Sequence, residues 1–393
     1  MYRTLKYRLY PSPEQAIVLA EYCRVVRFVY NLALEQRRDF WRQYRRATGR
    51  PLNYVSQGRQ ITELRRQEDW IAAVPACLQH SVLHDLDKAF AAFFRGGGFP
   101  RFRKMGLHEG FEIKAALANV RGLNRKWTAV KVPKLGWVKF RNTRAITGTI
   151  RSIRVKLDQG KWFACIGVES DFEAPASDLP PVGVDRGVTI ALALSDGATF
   201  NAPPDLAALN TEADRARRAL ARRKRGSARY RAQRLRLAAV VSKTARVRRD
   251  WQHKATSAIA RRYGTVILEA LETRNMTTRG RERGVAQKRG LNRSILNIGW
   301  YSIELMLAYK LEERGGTLIK INPAYTSQTC SACGVIDKQS RESQARFSCT
   351  SCGHTMNADH NAAINILRQG MPSVDGGGCA PVEARTIQPR LLA

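Results

Sequence analysis

Four cysteines constrain this chain more than anything else in it. Cys330 and Cys333 form one Cys-x2-Cys pair, Cys349 and Cys352 form another, and fifteen residues separate them. That spacing lets four thiolates close a tetrahedral shell around one ion, so the residues between must fold as a knuckle. Gly334 and Gly353 each follow a second cysteine, where the turn needs room. A four-thiolate shell keeps no position for water, so the expected ion is a structural Zn²⁺, with an iron cluster as the alternative. His354 is not needed as a ligand. The remaining cysteines, Cys23, Cys77, Cys165 and Cys379, lie in apolar or tail contexts and read as thiols of a reducing compartment, not disulfides.

The knuckle sits in a strongly basic chain. Among 393 residues, 67 Lys and Arg face 33 Asp and Glu, a net charge of +34 that calls for a densely negative partner. Phosphate backbones fit best, ahead of an anionic membrane surface. Seven Trp and a hydrophobic content of 44% argue for folded domains rather than a histone-like or disordered chain. No run reaches the eighteen or so apolar residues of a membrane span, and MYRTLKYRLYPSPEQ lacks the apolar core of a signal peptide. A cytoplasmic protein with no membrane partner is expected.

Hydrophobic periodicity divides the rest. MYRTLKYRLYP alternates as a strand up to Pro11, and from Glu14 to Phe94 apolar residues recur at helical spacing. RGGGFPRFRKMG closes this helical lobe with Arg101, Arg103 and Lys104 interleaved with Phe99 and Phe102, a composition suited to gripping a phosphate backbone while stacking on a base. From Trp127 to Ser170 the period is two, so four or five antiparallel strands, joined by the N-terminal one, are expected to form a small barrel around the lobe. EAPASDLPP is a Pro-rich linker. Beyond it, VGVDRGVTIALALSDGATF reads as two strands, the Arg-rich stretch from Ala213 to Gly264 as a helical hairpin broken near Gly226, TVILEALE and TLIKINP as strands, and YSIELMLAYKLEERGG as an amphipathic helix. Such alternation predicts an α/β mixed sheet with helices on its faces. The expected divisions are 1–12 and 106–172 for the barrel, 13–105 for the lobe, 173–182 for the linker, 183–325 and 355–370 for the mixed-sheet domain with its hairpin at 210–262, 326–354 for the zinc ribbon, and 371–393 for a disordered tail.

Three carboxylates stand where the pattern expects apolar or neutral residues. Asp185 interrupts VGVDRGVTI between Gly183 and Gly187, Glu269 closes TVILE, and Asp359 starts the helix DHNAAINIL. Alone, each reads equally as a strand-end charge, a turn residue or a helix cap. Brought to one sheet edge they form a cage for two divalent ions acting on a phosphodiester. Mg²⁺ suits such a cage, with Mn²⁺ as a substitute.

The strand VGVDRG, VILEAL followed by Asn275 and Met276, PAYTSQTCSACG and DHNAAINIL resemble the motifs of the TnpB family, RNA-guided DNA nucleases of bacterial insertion sequences related to type V CRISPR effectors. LYPSPEQ, RFVYNLAL, KAFAAFF, FPRFR and RRDWQHK extend the resemblance over nearly everything before the tail. It implies a RuvC-like nuclease domain split by the zinc ribbon, with Asp185, Glu269 and Asp359 as the metal-binding triad. It also implies a wedge barrel and a helical recognition lobe. The implied partners are a guide RNA from the end of the protein's own element and a target DNA duplex read by base pairing beside a short flanking motif. Gln79 then bonds an adenine edge and Tyr54 packs on the duplex, while the hairpin, with Arg223, Lys224, Arg225, Arg249 and Lys254, neutralises phosphates. A monomer is favoured, nucleoid-associated when bound to target. Two departures stand out: Ala270 where the family commonly has Asp, and Asn357 where an acidic or basic residue often precedes the last Asp. The competing readings are a guide-independent resolvase, an RNA-guided repressor that binds without cutting, a CRISPR effector and a transposase.

Overall fold

The computed structural model describes residues 2–43, 52–107, 109–171, 174–278 and 285–371 and divides into two compact units, Met1–Phe172 and Glu173–Ala393. The expected tail, with Cys379, falls outside the described residues except for Met371. Among the described residues no helix is long and apolar enough to cross a membrane.

In the first unit, β1 (Tyr2–Arg8) is followed by α1 (Pro13–Gln43), α2 (Tyr54–Gln67), the single turn α3 (Asp69–Ala72) and α4 (Ala76–Phe94). The chain then returns to strands: β2 (Gly110–Lys114), β3 (Val120–Gly122), β4 (Trp127–Val132), β5 (Gly136–Arg141), β6 (Thr149–Asp158) and β7 (Lys161–Glu169). The N-terminal strand pairs antiparallel with β7, giving a four-stranded sheet in the order β1-β7-β6-β2, while β3, β4 and β5 form a second sheet. The small barrel expected from the sequence needs correction. Among the described residues the two sheets do not close; they meet at one corner, through the Leu9–Phe140 bridge and the bond from the Tyr10 amide to the Lys139 carbonyl (2.9 Å). Helices and sheets share one core: Tyr22 of α1 packs edge-on against Phe111 and its hydroxyl donates to the Pro133 carbonyl at 3.1 Å.

The second unit holds a five-stranded mixed sheet in the order β10-β9-β8-β11-β12, built from β8 (Pro181–Asp185), β9 (Leu192–Leu194), β10 (Thr199–Phe200), β11 (Thr265–Glu269) and β12 (Thr317–Ile321). The strands β8, β11 and β12 run parallel, and β9 and β10 continue as an antiparallel meander, the mixed sheet expected of a RuvC-like domain. Between β10 and β11 lie α5 (Pro204–Ala221) and α6 (Ala228–Arg262), turning at Gly226 with its φ of +82°. After β11 come the short α7 (Thr273–Met276), α8 (Val285–Ile298) and α9 (Trp300–Glu312). Past β12, a hairpin of β13 (Arg346–Ser348) and β14 (Thr355–Asn357) leads into α10 (Ala358–Gly370).

Strand alternation decides what each face meets. Val182 and Val184 of β8 and Val266 and Leu268 of β11 pack into one core with Ile259, Ile303 and Leu307. Ile267 points the other way, to Ile321 and to Ile366 of α10. Gly183 shares that second face, and a Cβ there would lie 2.2 Å from the Ala363 carbonyl oxygen, so only glycine lets α10 seat on the sheet.

Candidate active site and metal centre

Two parallel strands and one helix deliver the three carboxylates. Val184 pairs with Leu268, and the next residues along are Asp185 and Glu269, both with the parity of the face that α10 covers. Asp359 stands in the first turn of α10, and its Oδ2 would lie 3.7 Å from a Cβ at Gly187, the loop residue just beyond Asp185. Asn357, not Asp359, caps this helix, its side-chain oxygen accepting from the amides of Asp359 (3.0 Å) and His360 (3.2 Å). The departure noted at position 357 thus has a structural use.

Electrostatics tie the trio together. Burial, then the charges of Glu269 and Asp359, push the Asp185 carboxyl up from 3.8 to about 7. Burial also raises Glu269 and Asp359, and Arg341 opposes the rise in all three. Asp185 feels the charge of both neighbours. The Arg341 guanidinium comes from the knuckle and lies 3.6 Å from Asp359 Oδ1. Glu269 is held twice: Thr326 donates to its Oε1 at 2.6 Å, and Arg186 donates to its backbone carbonyl. Arg186 is fully buried and paired with Glu304 (3.1 Å), which Lys320 engages from its other oxygen (3.1 Å). Three crowded, desolvated carboxyls with raised proton affinity are a donor set that fits divalent cations and oxygen ligands. Among the described residues the three carboxylates are not drawn together as closely as the four cysteines.

The four cysteines do converge. All four sulfurs lie within 4.8 Å of one another, with Cys330 and Cys352 at 3.7 Å and Cys333 and Cys349 at 3.6 Å. A tetrahedral ion with bonds of about 2.3 Å has sulfur-to-sulfur edges of about 3.8 Å, so the set fits Zn²⁺. The knuckle is pinned to α10 by two asparagines one helical turn apart. Asn361 accepts from the Ser331 amide and donates to the Thr329 carbonyl, both at 2.8 Å, and Asn365 donates to the carbonyls of Thr326 (3.0 Å) and Thr329 (2.7 Å). Both amides are buried.

The other candidates fare differently. Arg101, Lys104, Arg223, Lys224, Arg225, Arg249 and Lys254 are exposed, Lys254 pairing with Asp250 at 2.7 Å. Arg103 is drawn inward by Asp85 (2.8 Å) and by the face of Tyr30. Tyr54 is half-buried, stacked on His84 at 3.8 Å between ring centroids. Gln79 needs correction: it is fully buried and its amide donates to the Ile71 carbonyl at 2.8 Å, so it is not placed to read a base edge. Sequence reasoning missed Arg341, Thr326, Arg186 and the two asparagines. Of these, Thr326, Asn361, Asn365 and Arg186 lie inside the quoted motifs but look like ordinary polar residues there.

Comparison with known proteins follows the same layout. Residues 163–280 match a family model, OrfB of the IS605 type, described as a probable transposase, residues 1–46 match a helix-turn-helix domain of the same type, and residues 300–366 match a Cas12f1-like TNB domain. InsQ of Escherichia coli (strain K12), a proposed RNA-guided DNA endonuclease, is 33% identical across 94% of this chain and 92% of its own length. The chain belongs to the TnpB family. A proposed RNA-guided DNA endonuclease of Streptomyces pristinaespiralis is 28% identical over 96% of this chain and 92% of its own. Outside the TnpB proteins, the cryo-EM structure of a Cas12f1–sgRNA–target DNA complex covers 93% of this chain and 98% of that one, with a TM-score of 0.53 at 16% identity, a likeness of fold. The helix-turn-helix match falls on β1 and α1, which in this TnpB chain are one strand and one long helix.

Proposed function

We propose that this TnpB-family chain is an RNA-guided DNA endonuclease that hydrolyses target phosphodiesters at Asp185, Glu269 and Asp359. The observation that carries the reading is three half-buried carboxyls at one sheet edge, Asp185 and Glu269 following a paired step of two parallel strands and Asp359 in the first turn of the helix seated on them, with Asp185 raised to about 7 by burial and by the other two. Homology over nearly the full chain to proteins named as RNA-guided endonucleases supports it. The three carboxylates would hold two Mg²⁺ ions, which would supply charge stabilisation for the displacement. Thr326 fixes one oxygen of Glu269, Arg186 fixes its backbone, and the capped first turn of α10 presents Asp359. Arg341 brings a cation from the knuckle to the same cleft, suited to the negative charge of a phosphate. Cys330, Cys333, Cys349 and Cys352 hold a structural Zn²⁺ that keeps Arg341 and α10 in register.

The first unit acts as wedge and recognition lobe, and the exposed cations of the α5–α6 hairpin neutralise the backbone of the guide or its heteroduplex. The protein works in the cytoplasm on nucleoid DNA. The test is to express the chain with its native downstream DNA and sequence the RNA that copurifies. A discrete RNA running past the gene supports guidance and supplies the target for a cleavage assay. Absence of any specific RNA sinks it in favour of a guide-independent, resolvase-like nuclease.

A further inference from the structure

Where α1 and α4 end, the first unit carries a groove of about 570 Å³ that the proposed chemistry does not use. Its walls are aromatic: Trp41, Phe90, Phe93, Phe94, Phe99 and Phe102. Burying such rings is favourable, yet Phe94 is 64% exposed and Trp41 and Phe99 each 44%. The rings touch at 5.3–6.4 Å between centres without closing over one another. Phe99 stands nearly perpendicular to Phe90 (86°) and to Phe93 (80°), so ring faces and edges alternate around the opening. Cations are interleaved with them: Arg42, Arg101 and Lys104 line the same groove, as does Arg38, whose guanidinium lies 5.4 Å from the Phe102 ring centre and is ion-paired with Glu35 (3.3 Å) and Asp39 (3.1 Å).

We propose that this groove receives an unstacked base of a single-stranded nucleic acid. Aromatic faces stack on any base, and cations around the groove meet the phosphates on either side of it. A protein-binding patch shares the aromatic residues but is depleted of charge at its centre, whereas here Arg38, Arg42, Arg101 and Lys104 line the opening itself. A second copy of this chain would bring another +34 charges against the rim. The volume lies in the range of about 300–1,000 Å³ that proteins use for small ligands, enough for one nucleotide rather than a duplex. The inference rests on the nuclease reading only for the polymer's identity; the stacking site stands or falls without cleavage.

The test uses the full-length chain, freed of nucleic acid in high salt, with fluorescent oligo(dT) and oligo(U) and abasic strands of matched length and sugar. Anisotropy should show the base-bearing strands bound about tenfold or more tightly than the abasic ones, in line with stacking on one aromatic site. Phe94→Ala and Phe99→Ala, alone and combined, should abolish that preference while leaving abasic binding unchanged, with the melting temperature also held for the more exposed Phe94, and Phe94→Tyr should restore it. The dT and U arms decide whether DNA or RNA is the ligand. The proposal is overturned if the wild type shows no preference for bases, if the variants lose both kinds of strand alike, or if light scattering shows a self-association that the variants abolish. Should guided cleavage fail while the base preference holds, the nuclease reading falls and the groove remains.

Discussion

Asp185 carries the clearest physical signature in the molecule. Its folded-state pKa of about 7 lies above the ordinary 3.8, so the metal-free fold binds this proton more tightly than the unfolded chain does. That contribution is complete below about pH 4 and is lost as the pH rises through about 7. Asp185→Asn should therefore raise the melting temperature of protein held without divalent ions by about 5 °C at pH 8, a gain that shrinks to nothing near pH 4. A gain independent of pH would show that the carboxyl is not strained. Arg341→Ala should slow cleavage by about 100-fold with target binding intact, as loss of one charge-stabilising group does; equal loss of binding and cleavage would make Arg341 a docking residue. The three carboxylates stood out because each sits where the pattern expects an apolar or neutral residue, and the family resemblance joined them as one set. Arg341 did not, because its partner Asp359 is eighteen residues away across the knuckle and only the fold brings them together. Gln79 misled for the converse reason: a polar side chain on an amphipathic helix reads as surface, but here it closes the backbone of the preceding turn.

At the scale of elements, the seat of α10 on β8 is the decisive contact. Gly183→Ala places a methyl 2.2 Å from the Ala363 carbonyl oxygen and 2.5 Å from the Leu367 nitrogen. Both are backbone atoms that cannot swing aside, so the helix must lift. Denaturant titration should record a loss on the order of 3 kcal/mol, and cleavage should fall with it because Asp359 moves with the helix. Asn361→Ala strands the Ser331 amide, while Asn365 still donates to the Thr329 carbonyl, and should cost roughly 1–3 kcal/mol, read by the same titration. A mixed sheet, the hairpin turn at Gly226 and the knuckle were readable from period, glycine and cysteine spacing. Strands β2 and β3 were not, because five- and three-residue segments are too short to display a period. Barrel closure was unreadable for a different reason: alternation says that a strand has two faces, not which edge it finds.

Over the whole molecule, a charge of +34 makes binding a matter of counterion release. If Arg223, Lys224 and Arg225 each meet a phosphate, replacing all three by Ala should reduce the slope of log affinity against log salt by about 2 to 3; an unchanged slope would place the nucleic acid elsewhere. The charge was visible in composition, but where it acts depends on which cations the fold turns outward, and Arg103, drawn in by Asp85, was not among them. The measurement that tests the central claim most directly is cleavage of a guide-matched DNA duplex in Mg²⁺ by the RNA-loaded wild type beside Asp185→Asn, Glu269→Gln and Asp359→Asn. The account predicts that each substitution abolishes cutting while guide and target binding persist. Cutting that survives any one of the three would contradict it.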